Sequence, residues 1–432
     1  MLRSENPFIR EDDGWVGHTL TVQGKVSAVR YEEENHMVGA LDGIKVLDFT
    51  HVYSGPFCTL LLGDLGAEII KVERTVGGDP IRTDAPRTEG MEGGTFIILN
   101  RGKKSITLNL GDEKGRDICR TLVKGVDVVV ENFTPGTMDK LGLGSQDLCK
   151  LNPKLIYASV SAYGHTGPRR DDIGYDPVAQ AMGGMTSVTG FPDTPTKCGV
   201  AMADFSSGLF TALAIVAALM HKSKTGEGQT IDISLQDCIW LLTSIEFSPY
   251  YFLEGRIPQR TGNGHPTMTP GSLYPAKDGS VIIATGVLGQ IQRLFRLIGG
   301  EDLVNSPLCS QQSERIKYKT EIDALVAEWT KTRSMEEIVN QLKDIEVPCS
   351  MVPTFDQVCN DPQLLSREMI IEVEQTVSGK VKTPGSLFKL SKTPGDVKFP
   401  APFLGEHNLE VYSGILGYTE QEIAQLVNAG II

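Results

Sequence analysis

No C-x-x-C pair occurs among the eight cysteines, which stand singly at Cys58, Cys119, Cys149, Cys198, Cys238, Cys309, Cys349 and Cys359. That scatter argues against a disulfide framework and fits reduced thiols in a cytoplasmic protein. No H-E-x-x-H or comparable spacing links the seven histidines, so no metal site is expected. Nor is there a bilayer-length apolar run. The longest, Leu209–Met220, suits a buried helix, and the polar, acidic N-terminus lacks a signal-peptide core. Positive charge is also short: 41 Lys and Arg face 54 Asp and Glu, a net charge of −13. Such a chain is a poor partner for nucleic acid or an anionic membrane. It can hold an anionic ligand only where basic residues gather locally.

What the 432 residues do contain is alternation. IKVLDF, EIIKVER, SITLNL, VDVVVENF, LIYASVSAYG and QTIDISL read as strands. FCTLLLGDLGA, DEKGRDICRTLVKG, DPVAQAMGGM and SSGLFTALAIVAALMHK read as helices between them. Strand–helix–strand repetition predicts an α/β fold with a doubly wound parallel-sheet large domain over 41–235. Residues 1–40, with the acidic run Glu32–Glu34, read as an N-terminal extension. A linker over 236–259 leads to a smaller α+β domain over 260–365, where Asp278–Gly279 marks a hairpin. Residues 366–432 read as a return linker followed by C-terminal helices that pack on the large domain.

Several residues could carry chemistry. His51–Pro56 follows the first strand, where open α/β sheets bind ligands, but without G-x-G-x-x-G it is no dinucleotide site. Arg74, the cluster Arg101, Lys103 and Lys104, and Lys140 fall near strand ends. Together they could neutralise a polyphosphate, and singly each reads as a solvated surface charge. Asp204 precedes the long apolar helix, which Ser206 or Ser207 could cap. The helix dipole there favours an ionised carboxylate, a competent nucleophile, although a plain capping acid is the commoner role. Tyr175 and Asp176 stand at another helix start, where they could bind a ligand carbonyl or simply cap and pack. Gly262, Asn263 and Gly264 form a turn that could bring backbone N–H groups to an oxyanion or merely enter the next domain. His165 reads as a turn residue.

Nine segments in order carry a resemblance. They are GIKVLDFTHVYSGPFCTLLLGDLGAEIIKVE, LNRGKKSITLNL, VENFTPGTMDKLG, LIYASVSAYGHTGP, GYDPVAQAMGG, ADFSSG, KTGEGQTIDISL, GNGHP and LGEHNLEV. From about Leu41 to the C-terminus the chain resembles the class III CoA-transferases of the CaiB/BaiF type, the family of formyl-CoA:oxalate CoA-transferase and carnitine CoA-transferase. The resemblance implies that Asp204 attacks an acyl-CoA donor, giving an aspartyl anhydride and then an aspartyl-CoA thioester, with CoA passed to a carboxylic acid acceptor. It implies that Gly262–Gly264 closes over these intermediates, that Tyr175 and Asp176 line the acyl site, and that Val52, Arg74, Arg101, Lys103, Asn132, Phe133 and Lys140 contact CoA. Coenzyme A enters as substrate, no cofactor is held permanently, and succinyl-CoA is the preferred donor. It also implies an interlocked dimer of ring-shaped chains linked over 236–259 and 366–395, or a heterodimer with a paralogue. The sequence departs from the family pattern in its first 40 residues and at His165, where glutamine is frequent.

Two alternatives stand beside this. An α-methylacyl-CoA racemase needs two acid–base groups on opposite faces of the substrate. Those enzymes carry histidine where this chain has Tyr175, and a phenol is a poor base at neutral pH. The other alternative is a non-catalytic acyl-CoA-binding subunit, against which Asp204 and the glycine turn both speak.

Overall fold

The computed structural model describes residues 39–87, 92–375 and 379–432. Nearly all of the N-terminal extension, including the acidic run Glu32–Glu34, lies outside the described residues. In chain order the strands are β1 (Lys45–Asp48), β2 (Glu68–Glu73), β3 (Lys104–Thr107), β4 (Val128–Glu131), β5 (Ile156–Ser161), the short pair β6 (Gly190–Phe191) and β7 (Thr194–Pro195), and β8 (Gln229–Ser234). Then follow β9 (Gly271–Ala276), β10 (Gly279–Ala284), β11 (Cys349–Met351), β12 (Ile370–Gln375) and β13 (Gly379–Pro384).

Six strands form one parallel sheet in the order β3-β2-β1-β4-β5-β8. Continuous apolar strands such as Val128–Val130 are what a sheet covered on both faces requires. One face packs Leu47, Ile70 and Val129 against Ile118 and Leu122, with Tyr412 and Leu426 from the C-terminal helices. The other packs Val46, Ile69 and Val130 against Leu62 and Ile215. The strand order reverses between β1 and β4, so their C-terminal ends open a crevice between two loops. All six expected strands are present, as is the β9–β10 hairpin around Lys277–Asp278, which belongs to a separate antiparallel sheet β11-β10-β9.

Two expectations need correction, and one element was not foreseen. The long apolar helix, Met202–Thr225, is not buried all round: Ala212, Ile215 and Ala218 face the sheet, while Leu209, Leu213 and Met220 lie open on its outer side. Its start also precedes Ser206 and Ser207, whose hydroxyls bond back to the carbonyls of Ala203 and Asp204 instead of capping. Finally, Gly94–Asn100 is a helix that the sequence reading missed, because FIIL has no helical spacing to announce it.

Candidate active site

The site begins with the loop after β1. Asn132, just past β4, accepts the His51 N–H at 2.9 Å and donates to the His51 carbonyl at 2.8 Å and to Ser54 Oγ at 3.3 Å. One amide therefore bridges the two strands of the crevice. It fixes His51 next to Val52, whose own N–H reaches Asp79 Oδ1 at 3.3 Å and which stands at φ 69°, a left-handed conformation that costs a β-branched residue on the order of 1–3 kcal/mol. Strain of this kind persists only where surrounding contacts over-determine it. Phe133 packs edge-on against His51 with ring centroids 4.6 Å apart, and Glu131 Oε2 accepts the Phe133 N–H at 2.8 Å.

Behind these residues lies a cavity of about 420 Å³. His51, Arg74, Asn109, Phe133 and Leu141 line it. The Arg74 guanidinium is anchored through Nε and Nη2 to the Gly78 carbonyl but pairs with no carboxylate among the described residues. Lys140 is exposed and unpaired among those residues, next to the lining residue Leu141. Of the expected basic residues, these two could present charge to a ligand in the cavity.

Arg101 and Lys103 do not. Arg101 is buried, forks onto both oxygens of Asp64 and donates to the Pro384 carbonyl. Lys103 is fully buried, and its ammonium donates to Asp48 Oδ2, the Pro56 carbonyl, Thr59 Oγ1 and Asn100 Oδ1 at 2.8–3.3 Å. Neither the solvated-charge reading nor a direct ligand contact describes them in this conformation. They belong to an internal ion-pair layer under the strand ends, with Lys71 bridging Asp79 and the Thr50 carbonyl, and Arg82 paired with Glu73. Burial works to raise the Asp48 carboxyl, but Lys103, Lys71 and the hydroxyls of Thr50 and Thr59 hold it below its ordinary value. Burial pulls Lys103 down to about 8 against the opposing pull of Asp48.

The opposite flank of the loop meets the Met202–Thr225 helix. A Cβ on Gly208 would lie 2.5 Å from the Ser54 carbonyl, so glycine is what lets this helix approach the one at Ser54–Asp64. Phe205 meets Phe57 and Tyr53 edge-on at 5.1 and 6.1 Å. Asp204 is one turn before Gly208 on the same helix face. Its half-buried carboxylate accepts no hydrogen bond among the described residues. Burial, with the Asp176 charge adding to it, pushes Asp204 up to about 7. The helix-dipole expectation of a readily ionised acid is thus overridden by desolvation.

Asp176 is the residue that positions this helix. Buried at the start of the Asp176–Met182 helix, it accepts the Ala203 N–H at 2.8 Å and the Gln180 amide at 2.8 Å. It caps the helix carrying Asp204, whereas its own helix start has no side-chain cap. Gln180, wholly buried, also accepts the Cys198 N–H at 3.0 Å. Tyr175, by contrast, is 70% exposed.

The glycine turn lies elsewhere in the sequence but is tied to this region. Gly262, at φ 60°, donates its N–H to the Gly190 carbonyl in β6, and a Cβ there would press on the Phe191 ring at 3.0 Å. The Asn263 carbonyl accepts the Leu273 N–H, and Gly264 bridges to Ser272 in β9. His165 donates its backbone N–H to Asp232, and its Nε2 lies 3.9 Å from Glu131 Oε1. Glu131, Gln180 and Asp48 escaped the sequence reading: each looks like an ordinary strand or helix residue, and only burial discloses it. A charged residue inside an apolar strand, as in VVVE, was the one available signal.

Comparison with known proteins identifies the family. The model of CoA-transferase family III matches residues 41–408. Succinyl-CoA–D-citramalate CoA-transferase of Chloroflexus aurantiacus is 37% identical over 388 residues, 89% of this chain and 96% of that one. Human succinyl-CoA:glutarate CoA-transferase is 33% identical over 405 residues, 93% of this chain and 92% of its own length. The crystal structure of a CaiB/BaiF family protein from Brucella suis superposes with a TM-score of 0.79 at 36% identity, covering 88% of this chain and all of that one. The chain is a CoA-transferase and belongs to CoA-transferase family III.

Proposed function

We propose that this enzyme moves CoA from a short dicarboxylic acyl-CoA, with succinyl-CoA the preferred donor, to a second carboxylic acid, with Asp204 as the covalent nucleophile. The observation that carries the reading is the Asp204 carboxylate. It is free of hydrogen bonds among the described residues, sits at the start of a helix capped by Asp176, and lies one turn before Gly208, which meets the Ser54 carbonyl.

Chemically, the Asp204 carboxylate adds to the donor thioester carbonyl, and CoA thiolate leaves to give a mixed anhydride. The thiolate then attacks the Asp204 carbonyl, forming an aspartyl-CoA thioester and expelling the donor acid. The acceptor carboxylate attacks that thioester, freeing the thiolate and forming a second anhydride. Attack of the thiolate on the acceptor carbonyl gives the new acyl-CoA and restores Asp204. Each step exchanges activated acyl groups, so no external energy source enters. A desolvated carboxylate suits the first step, since it sheds little water before attacking. The cavity would take the nucleotide end of CoA, with Arg74 and Lys140 facing phosphates and Phe133 offering an aromatic edge. The Gly262–Gly264 turn would shield the anhydrides from water.

The open apolar flank of the Met202–Thr225 helix, together with exposed Trp240, Ile245 and Phe252 on the Leu235–Phe252 helix, fits cover by a second copy in an interlocked dimer. The eight free thiols suit a reducing compartment such as the cytoplasm.

The test is a CoA-exchange assay with succinyl-CoA and a panel of isotopically labelled acids, read by mass spectrometry. Wild type should form labelled acyl-CoA, and quenched enzyme should carry CoA on the peptide containing Asp204. Exchange that survives Asp204→Ala would end the proposal.

A further inference from the structure

We infer that Arg260 is a positioning residue that couples the Gly262–Gly264 turn to Asp204 through the β6–β7 hairpin. Its guanidinium spends three donors on three backbone carbonyls. Nε reaches Phe191 at 2.8 Å, Nη1 reaches Ser187 at 3.1 Å, and Nη2 reaches Pro192. No carboxylate pairs with it among the described residues. Two residues on, Gly262 donates to the Gly190 carbonyl at 2.9 Å and packs against Phe191. Four hydrogen bonds thus run from residues 260–262 to residues 187–192.

From the hairpin the path continues through hydrogen bonds and one two-residue stretch of chain, 196–198. Thr196 donates its N–H to the Thr189 carbonyl at 2.9 Å and closes the hairpin base. Two residues later the Cys198 N–H reaches Gln180, Gln180 reaches Asp176, and Asp176 takes the Ala203 N–H beside Asp204. Apart from that stretch, each link joins a backbone group or a planar side-chain group, which gives a shift of the turn a defined route to the first turn of the Asp204 helix. Lysine could not replace Arg260, because a single ammonium cannot reach three carbonyls spread over six residues with a fork's geometry. The loop proposed to exclude water and the carboxylate proposed to attack would then be held in register by one side chain that touches neither.

This inference rests on the proposed roles of Asp204 and the glycine turn. It is tested with Arg260→Met and Arg260→Lys in the full-length protein, with Arg256→Met as a control, since among the described residues the Arg256 side chain pairs with Glu254 and lies over Tyr250. Succinyl-CoA consumption would be split into transfer to a labelled acid and hydrolysis to free CoA. Both Arg260 variants should lose on the order of tenfold in kcat for transfer, the effect of a small misplacement at the reacting groups. Their donor KM should stay within about threefold of wild type. The ratio of hydrolysis to transfer should rise in both and stay unchanged in Arg256→Met. An unchanged ratio in Arg260→Lys or Arg260→Met, whatever happens to kcat, overturns the inference. Should Arg260→Met not fold, Arg260→Lys alone decides. Failure of the underlying reading has a different signature: wild type that transfers no CoA, or Asp204→Ala that still does.

Discussion

Asp176 both builds and restrains Asp204. It accepts the Ala203 N–H at 2.8 Å and so fixes the first turn of the helix that carries Asp204. The same negative charge, added to burial, disfavours ionisation of Asp204. A helix N-terminus offers only a partial positive charge, and here it does not prevail over desolvation plus a neighbouring carboxylate. The proposed nucleophile is therefore fixed in place by its helix but kept half-protonated near neutrality.

The pH profile should record this. kcat/KM for succinyl-CoA should fall below an apparent pKa of about 7, not near the 3.8 of an ordinary aspartate. Asp176→Asn removes the repelling charge and should move the acid limb to lower pH. A limb that stays in place would remove Asp176 from the causes. The linkage runs the same way for stability. The raised native pKa means the folded state keeps its proton longer, so stability declines as pH rises from about 4 through 7. Asp204→Asn should consequently be inactive yet more stable than wild type at pH 8, by on the order of 1–2 kcal/mol after allowing for partial exposure. Its advantage should vanish at pH 4.

Lys103 and Arg101 should behave as structural ions. Lys103→Met leaves Asp48 buried without its ammonium partner, a loss of about 3–5 kcal/mol. Arg101→Gln should likewise destabilise by exposing the Asp64 pair to imbalance. In denaturant melts both should unfold at clearly lower concentrations. Whatever folded enzyme remains should show donor KM within about twofold of wild type. A large KM increase at full stability would return them to the CoA site.

Arg74 should behave in the opposite manner. It is exposed, lines the cavity and among the described residues is tethered to the Gly78 carbonyl alone. Arg74→Gln should cost little stability, within about 0.5 kcal/mol. It should raise donor KM about tenfold at low salt through loss of a phosphate contact. Since that contact is electrostatic and partly solvated, the gap to wild type should narrow as ionic strength rises. A salt-independent difference would argue against a phosphate partner.

How much of this was legible beforehand depends on which forces decided each feature. The parallel sheet was readable because runs such as Val128–Val130 place consecutive apolar residues on both faces, which reports two-sided burial directly. Asp204 was readable as a carboxylate at a helix start, but its environment was not. The start itself was misplaced at Ser206 and Ser207, since the capping group comes from Asp176, twenty-seven residues away in the contact that fixes it. The basic residues were the clearest miss. Sequence spacing puts Arg74, Arg101 and Lys103 all near strand ends, yet only a three-dimensional count of partners separates the exposed Arg74 from the buried Lys103. The left-handed backbone of Val52 gave no signal, because nothing local predicts it; the Asn132 amide that fixes His51 and the Asp79 carboxylate that takes the Val52 N–H both come from distant segments.

Glu131 offers the sharpest check on the β4 side of the crevice. Its carboxylate accepts the Phe133 N–H at 2.8 Å, and burial pushes it up to about 7, although bonds from Ser159 and Phe133 pull the other way. Asp139 and Asp232 add to the upward push. The unfolded carboxyl titrates near 4.5, so between that pH and about 7 the folded state binds more protons and stability falls as pH rises. Glu131→Gln is neutral throughout and can still accept the Phe133 N–H through its amide oxygen. Relative to wild type it should gain on the order of 1–2 kcal/mol between pH 5 and pH 8. Donor KM should hardly change, since Phe133 stays in place against His51. Urea midpoints of the two proteins at both pH values measure this, and a difference that does not vary with pH would mean Glu131 is ionised in the folded enzyme across the range.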